Sequence, residues 1–250
     1  MKTKIVFLLL SGLVLFSCKR NEPDDNIVTP TDPSSLKILQ EINLAAEITE
    51  PSGLFYNSST NSLFVVSDSS PKIFEINFSG NIISTITTTG VDLEGISFSP
   101  NNDTIWVVEE LGQKVSKYLK TGAHLLSFPL NVATNTKHAL EGITVDNQNH
   151  LFVINEKDPT LMVECFNNQS IFQKNIAYLS DISDICYDKE LNCLWVLSDE
   201  SSSIVKIDKK GNLIATYKLP MDKCEGITII GNKFYIVNDA TAKMYVFNKP

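Results

Sequence analysis

Leu140-Glu141-Gly142-Ile143, followed at strand distance by Phe152-Val153-Ile154-Asn155-Glu156, is one of five copies of a two-part pattern. The first half recurs as Ser52-Gly53-Leu54, Glu94-Gly95-Ile96, Glu141-Gly142-Ile143, Ser183-Asp184-Ile185 and Glu225-Gly226-Ile227. Its apolar residue stands at 54, 96, 143, 185 and 227, so the steps are 42, 47, 42 and 42. The second half recurs as Val65-Val66-Ser67-Asp68, Val107-Val108-Glu109-Glu110, Val153-Ile154-Asn155-Glu156, Val196-Leu197-Ser198-Asp199 and Ile236-Val237-Asn238-Asp239. An aromatic keeps the same beat at Phe64, Trp106, Phe152, Trp195 and Tyr235. Three features in register at a period near 40 residues mark a repeat protein with four strands per unit.

Between the motifs, turn clusters such as Asn57 to Asn61 and Asp146 to Asn149 separate short alternating segments, among them Lys72-Ile73-Phe74-Glu75-Ile76. Outside the first residues no stretch keeps a helical period. The expected fold is therefore all-β: a five-bladed propeller over residues 36–250. The fifth repeat stops at Pro250 after three strands, and Leu36 to Leu44 resembles the fourth strand of the preceding repeat. An N-terminal strand completing the C-terminal blade would close the ring and remove its free edges. The recurring aromatic is assigned to packing between blades.

Residues 1–17 carry Lys2 and Lys4 and an apolar run from Ile5 to Phe16. A membrane span needs roughly 20 apolar residues, so this run suits a signal peptide. Leu15-Phe16-Ser17-Cys18 resembles a bacterial lipobox, which predicts lipidation at Cys18 and an anchor to a bacterial membrane. Ordinary cleavage beside an incidental cysteine is the competing reading. Residues 18–35 are polar and rich in Pro, Asp, Asn and Thr, as expected of a flexible tether.

The net charge of −8, with no basic cluster, argues against a nucleic-acid partner, and an envelope ligand or protein is the expected one. A monomer is expected. Cys165, Cys186, Cys193 and Cys224 have no zinc spacing; Cys186 and Cys193 flank one hairpin and could pair, the alternative being buried free thiols.

In a propeller the first strand of each blade lines the axis. Its start and the end of its antiparallel partner lie at the same end of the hairpin, so both motif halves gather around one channel mouth. Glu94, Glu141 and Glu225 are placed nearest the axis as metal ligands, with Asp68, Glu110, Glu156, Asp199 and Asp239 as a surrounding rim. Eight carboxylates converging there would repel one another, and a hard cation is the natural remedy. Calcium accepts about 6–8 oxygens at irregular angles. Turn capping by the rim acids is the structural alternative.

These residues, with Asn155-Glu156-Lys157, Asp181-Ile182-Ser183-Asp184-Ile185 and Ser198-Asp199-Glu200, resemble the SdiA-regulated, YjiK-like proteins of bacterial envelopes from about Leu36 to Phe247. The resemblance implies a five-bladed propeller with a bound calcium ion and no established activity. Ser52 and Ser183 depart from it, since they replace Glu in two blades. The expected function is a lipid-anchored, calcium-binding module of the cell envelope, at the outer membrane and facing either the periplasm or the surface. A calcium-dependent hydrolase, lactonase- or phosphodiesterase-like, is the alternative at the same mouth. A scaffold with structural calcium is a third. His138, three residues before Glu141, reads as a loop histidine rather than a general base, and no catalytic residue is assigned.

Overall fold

The structure, a computed structural model, describes residues 34–250. The leader expected over residues 1–17, lipidation at Cys18 and nearly all of the tether lie outside the described residues. Twenty strands and no helix occur among those described.

β1 (Ile38–Asn43) precedes the first blade, which contains β2 (Pro51–Asn57), β3 (Ser62–Ser67), β4 (Ser70–Ile76) and β5 (Ile82–Thr87). The second contains β6 (Leu93–Phe98), β7 (Thr104–Glu109), β8 (Lys114–Leu119) and β9 (His124–Pro129). The third contains β10 (Leu140–Val145), β11 (Leu151–Asn155), β12 (Leu161–Phe166) and β13 (Gln169–Asn175). The fourth contains β14 (Asp184–Asp188), β15 (Cys193–Ser198), β16 (Ser203–Ile207) and β17 (Leu213–Lys218). The last contains β18 (Cys224–Ile230), β19 (Lys233–Asn238) and β20 (Lys243–Asn248).

Each of the first four blades is a four-stranded antiparallel meander, and β1 adds to β20 to complete the fifth sheet. The register Ile38↔Phe247 to Asn43↔Lys243 is the strand exchange expected from the truncated last repeat. The first strands β2, β6, β10, β14 and β18 touch one another in ring order, so this is a five-bladed propeller with the motif strands innermost.

Five apolar seams hold the blades together, one between each neighbouring pair. The recurring aromatic explains their spacing. Phe64 fills the seam between the first and second blades, Trp106 the next, then Phe152, Trp195 and Tyr235. Trp195 is fully buried, and its indole Nε1 donates to Asp188 at 3.1 Å, so its polar edge is satisfied inside the seam. Each fully buried large apolar side chain contributes roughly 1.5–3 kcal/mol. An exposed ion pair contributes about 0–1 kcal/mol, so packing decides the architecture. All four cysteines among the described residues are buried free thiols, and Cys186 and Cys193 are not bonded.

At the axis the inner strands meet backbone to backbone. A methyl group at Gly95 would lie 2.6 Å from the Glu141 carbonyl oxygen and 2.8 Å from Gly142 Cα. One at Gly226 would lie 2.8 Å from the Leu54 nitrogen. Glycine is the residue that permits this approach. Substitution Gly95→Ala is therefore expected to cost about 1–3 kcal/mol in urea denaturation. Gly112→Ala, which would meet only the flexible Lys114 side chain, should stay within about 0.5 kcal/mol of the parent.

Candidate functional site: an acidic channel mouth

The motif acids owe their position to a local break in pairing. The register between first and second strands shifts between Leu93 and Ile96, between Leu140 and Ile143, and between Cys224 and Gly226. Glu94, Glu141 and Glu225 sit on these bulges, which re-aim side chains without ending the sheet. In the first blade the bulge falls between Pro51 and Gly53 and carries Ser52, whose hydroxyl donates to the Leu93 carbonyl at 2.7 Å.

The fourth blade has no shift at this point. There Asp184 occupies the place of the motif glycine, is buried, and accepts the Ile227 N–H at 2.8 Å. Its other carboxylate oxygen, Oδ1, has no hydrogen-bond partner among the described residues. Burial holds this carboxyl well above the usual carboxylate range.

All eight acids expected at the mouth line one open cavity of about 360 Å³, together with Lys137, His138, Lys157 and Lys223. Oxygens of Asp92, Glu94 and Glu110 lie within 4.8 Å of one another, and so do oxygens of Glu110, Glu141 and Glu156. Glu110 belongs to both groups, whereas Glu225 is in neither. Glu110 Oε1 accepts the Ala139 N–H at 3.0 Å, which carries that side chain from the second blade to the third.

The rest of the rim is partly neutralised. Asp199 receives the Lys223 ammonium at 2.7 Å and also accepts the Lys223 backbone N–H. Lys157 bridges Glu156 at 3.1 Å and Glu200 at 2.5 Å. His138 Nδ1 lies 2.7 Å from Glu156 Oε2. Glu109, beside Glu110 in sequence, is buried among Ser116, Lys114 and the Val91 N–H and serves the blade instead of the mouth.

Asp92 and the His138–Glu156 pair escape a search for recurring acids. The position two residues before the motif acid holds Glu50, Asp92, Ala139, Asp181 and Lys223. It is charged in four copies of five but of mixed sign. Glu50, Asp92 and Lys223 adopt positive φ there, of 48°, 60° and 57°. His138 is brought to Glu156 by the pairing of Leu140 with Asn155, so hairpin register was the signal for it. Asp181 has a capping role: it accepts the Ser198 hydroxyl at 2.5 Å and the backbone N–H groups of Asp199 and Glu200.

Burial, then repulsion from neighbouring carboxylates, holds Glu94 and Glu141 well above the usual range. Burial and Asp199 push Glu225 up to about 7, and burial and Glu50 push Asp68 up to about 6. Burial raises Glu110 as well, with the Ala139 N–H opposing it. These oxygens are an all-carboxylate donor set, suited to a hard cation.

The sequence profile of a family described as SdiA-regulated matches residues 37–248. Among solved structures, virginiamycin B lyase from Staphylococcus aureus is similar at 20% identity and a TM-score of 0.51, over 86% of this chain and 74% of that one. A catalytically inactive variant of the same lyase with Quinupristin gives 21% and 0.52, over 86% and 75%. A chain of a nidogen/laminin complex gives 14% and 0.63, over 82% and 78%. At such identities the likeness is one of fold.

The raised carboxylates bind protons in the folded chain that the unfolded chain releases at its ordinary values. Their contribution to stability is complete below about pH 4 and is lost as the pH climbs through the folded values. Asp146, Asp188 and Asp208 are lowered instead, by their lysine or backbone partners acting against burial, and act at the acid end. In chelator, the melting temperature should therefore fall from about pH 5 to about pH 8, and a flat or rising profile would contradict the arrangement.

Proposed function

The chain belongs to the SdiA-regulated family, and we propose that it is a lipid-anchored, calcium-binding propeller that captures an envelope ligand at its acidic mouth. One observation carries the reading: Glu94 is only 8% exposed and lies among carboxylates, with burial and their repulsion as the causes of its shift. A buried carboxylate without a cationic or hydrogen-bonding partner is costly, and a divalent cation offsets that cost. Asp92, Glu94, Glu110, Glu141 and Glu156 would hold the ion. When bound it would supply a positive centre to which an oxygen-bearing ligand can add its own donors.

Lys137, Lys157 and Lys223 line the same cavity and favour a ligand with anionic groups. The anchor at Cys18 and the envelope location rest on the leader sequence and the family resemblance. A second reading, a cation-dependent hydrolase, is favoured by the His138–Glu156 pair. A histidine oriented by a carboxylate next to a cation site is suited to moving a proton.

Calcium calorimetry on residues 34–250, which carry the whole ring, tests the proposal. Saturable binding is expected in the parent, weakened at least about tenfold in a folded Glu94→Gln/Glu141→Gln variant, which corresponds to about 1.4 kcal/mol or more. Equal binding by the variant would return these acids to a structural role and leave the mouth as a protein-binding surface.

A further inference from the structure

One divalent cation does not neutralise this cluster. Asp92, Glu94, Glu110, Glu141 and Glu156 bring five carboxylates together, and among the described residues only Glu156 is paired with a lysine, Lys157, with the His138 ring beside it. Lys114 is turned to Glu109 on the other side of the strand and does not serve Asp92 or Glu94. The two groups of oxygens also differ in place. Glu110, Glu141 and Glu156 span the step from the second blade to the third, whereas Asp92, Glu94 and Glu110 belong to the second blade alone.

We propose that the mouth holds two calcium ions with Glu110 as their shared ligand, one against Glu141 and Glu156 and the other against Asp92 and Glu94. The proposal rests on the calcium reading above and adds the number and arrangement of ions. Three observations support it. Glu110 lies within ligand reach of both groups, and a carboxylate has two oxygens to offer. Glu94 is more than nine-tenths buried at the group that lacks any lysine or histidine, with no hydrogen-bond donor to its carboxylate among the described residues. The Ala139 N–H holds Glu110 across the seam, between the two groups.

Each group supplies three side chains, fewer than the about 6–8 oxygens that calcium takes. Both ions would therefore keep places for ligand or water oxygens. A ligand bridging the pair would carry at least two oxygen donors on one side, as a carboxylate or a phosphate ester does.

The test is a count of calcium per chain by native mass spectrometry on the protein, alongside calorimetry with calcium chloride. Two ions are expected in the parent, one in Asp92→Asn, one in Glu156→Gln and none in the double variant. Glu110→Gln is expected to weaken both sites by at least about tenfold. If Glu110→Gln does not fold, the Asp92→Asn and Glu156→Gln series decides alone. A single ion in the parent overturns the paired site and leaves the calcium reading intact. No ion in the parent overturns the calcium reading itself. Two ions in the parent, with one retained at full affinity in folded Glu110→Gln, overturns the shared ligand.

Discussion

The interaction on which the rest of the structure depends is the close approach of the inner-strand backbones around the axis. Gly53, Gly95, Gly142 and Gly226 each face the backbone or the backbone-adjacent atoms of the next blade at distances that leave no room for a methyl group. This sets how narrow the ring can be. A narrow ring in turn fixes how close the residues beside those glycines must lie. Glu94, Glu141 and Glu225 are sequence neighbours of three of them, so the packing that closes the ring also drives their carboxylates together. Crowded charge at the mouth is a consequence of backbone packing in the core.

Two remedies for that crowding are built into different sectors. Around the fourth and fifth blades the acids are paired or capped: Asp199 with Lys223, Glu200 with Lys157, and Asp181 with a hydroxyl and two backbone amides. Ser183 replaces a glutamate and its hydroxyl lowers Glu225 against the upward push of burial. In the second blade Asp92 accepts the Leu111 N–H at 3.2 Å, but no lysine, hydroxyl or amide among the described residues reaches the Glu94 carboxylate. The mouth is thus a ring with one sector balanced by the protein and one left for a solute. A fivefold repeat that has diverged at the positions beside its glycines can become a directional site without altering its seams.

The architecture was legible because it is periodic. The five aromatic positions, the five motif pairs and the shared last blade each follow from spacing, and each lies where spacing put it. The grouping of the acids was less legible, since a period of about 40 residues gives a residue's place in its blade but not the direction of its side chain at a bulge. Asp92 enters the cluster through a left-handed backbone conformation that alternation of apolar residues does not report. Glu110 reaches the third blade through a backbone amide of Ala139, a position with no charge to attract notice. Asp184 stood in the sequence as a departure from glycine, but its contact with the Ile227 amide depends on the unbulged register of its own strand.

The exchanged strand has a mechanical meaning as well. The chain enters beside Lys218 of the fourth blade, where the Leu36 N–H donates to the Lys218 carbonyl at 2.8 Å, and then runs along β20 from Phe247 to Lys243. Tension drawn through the N-terminal segment would be directed along β1, across hydrogen bonds that lie perpendicular to the strand. The bonds would then share the load together as in a lap joint, instead of opening singly from one end. Ile42, buried in the seam between the last and first blades, adds an apolar stop to the same joint. A ring held by its N-terminus would thus be fastened at the strand that closes it, with any outward pull borne in shear along its longest-range pairing.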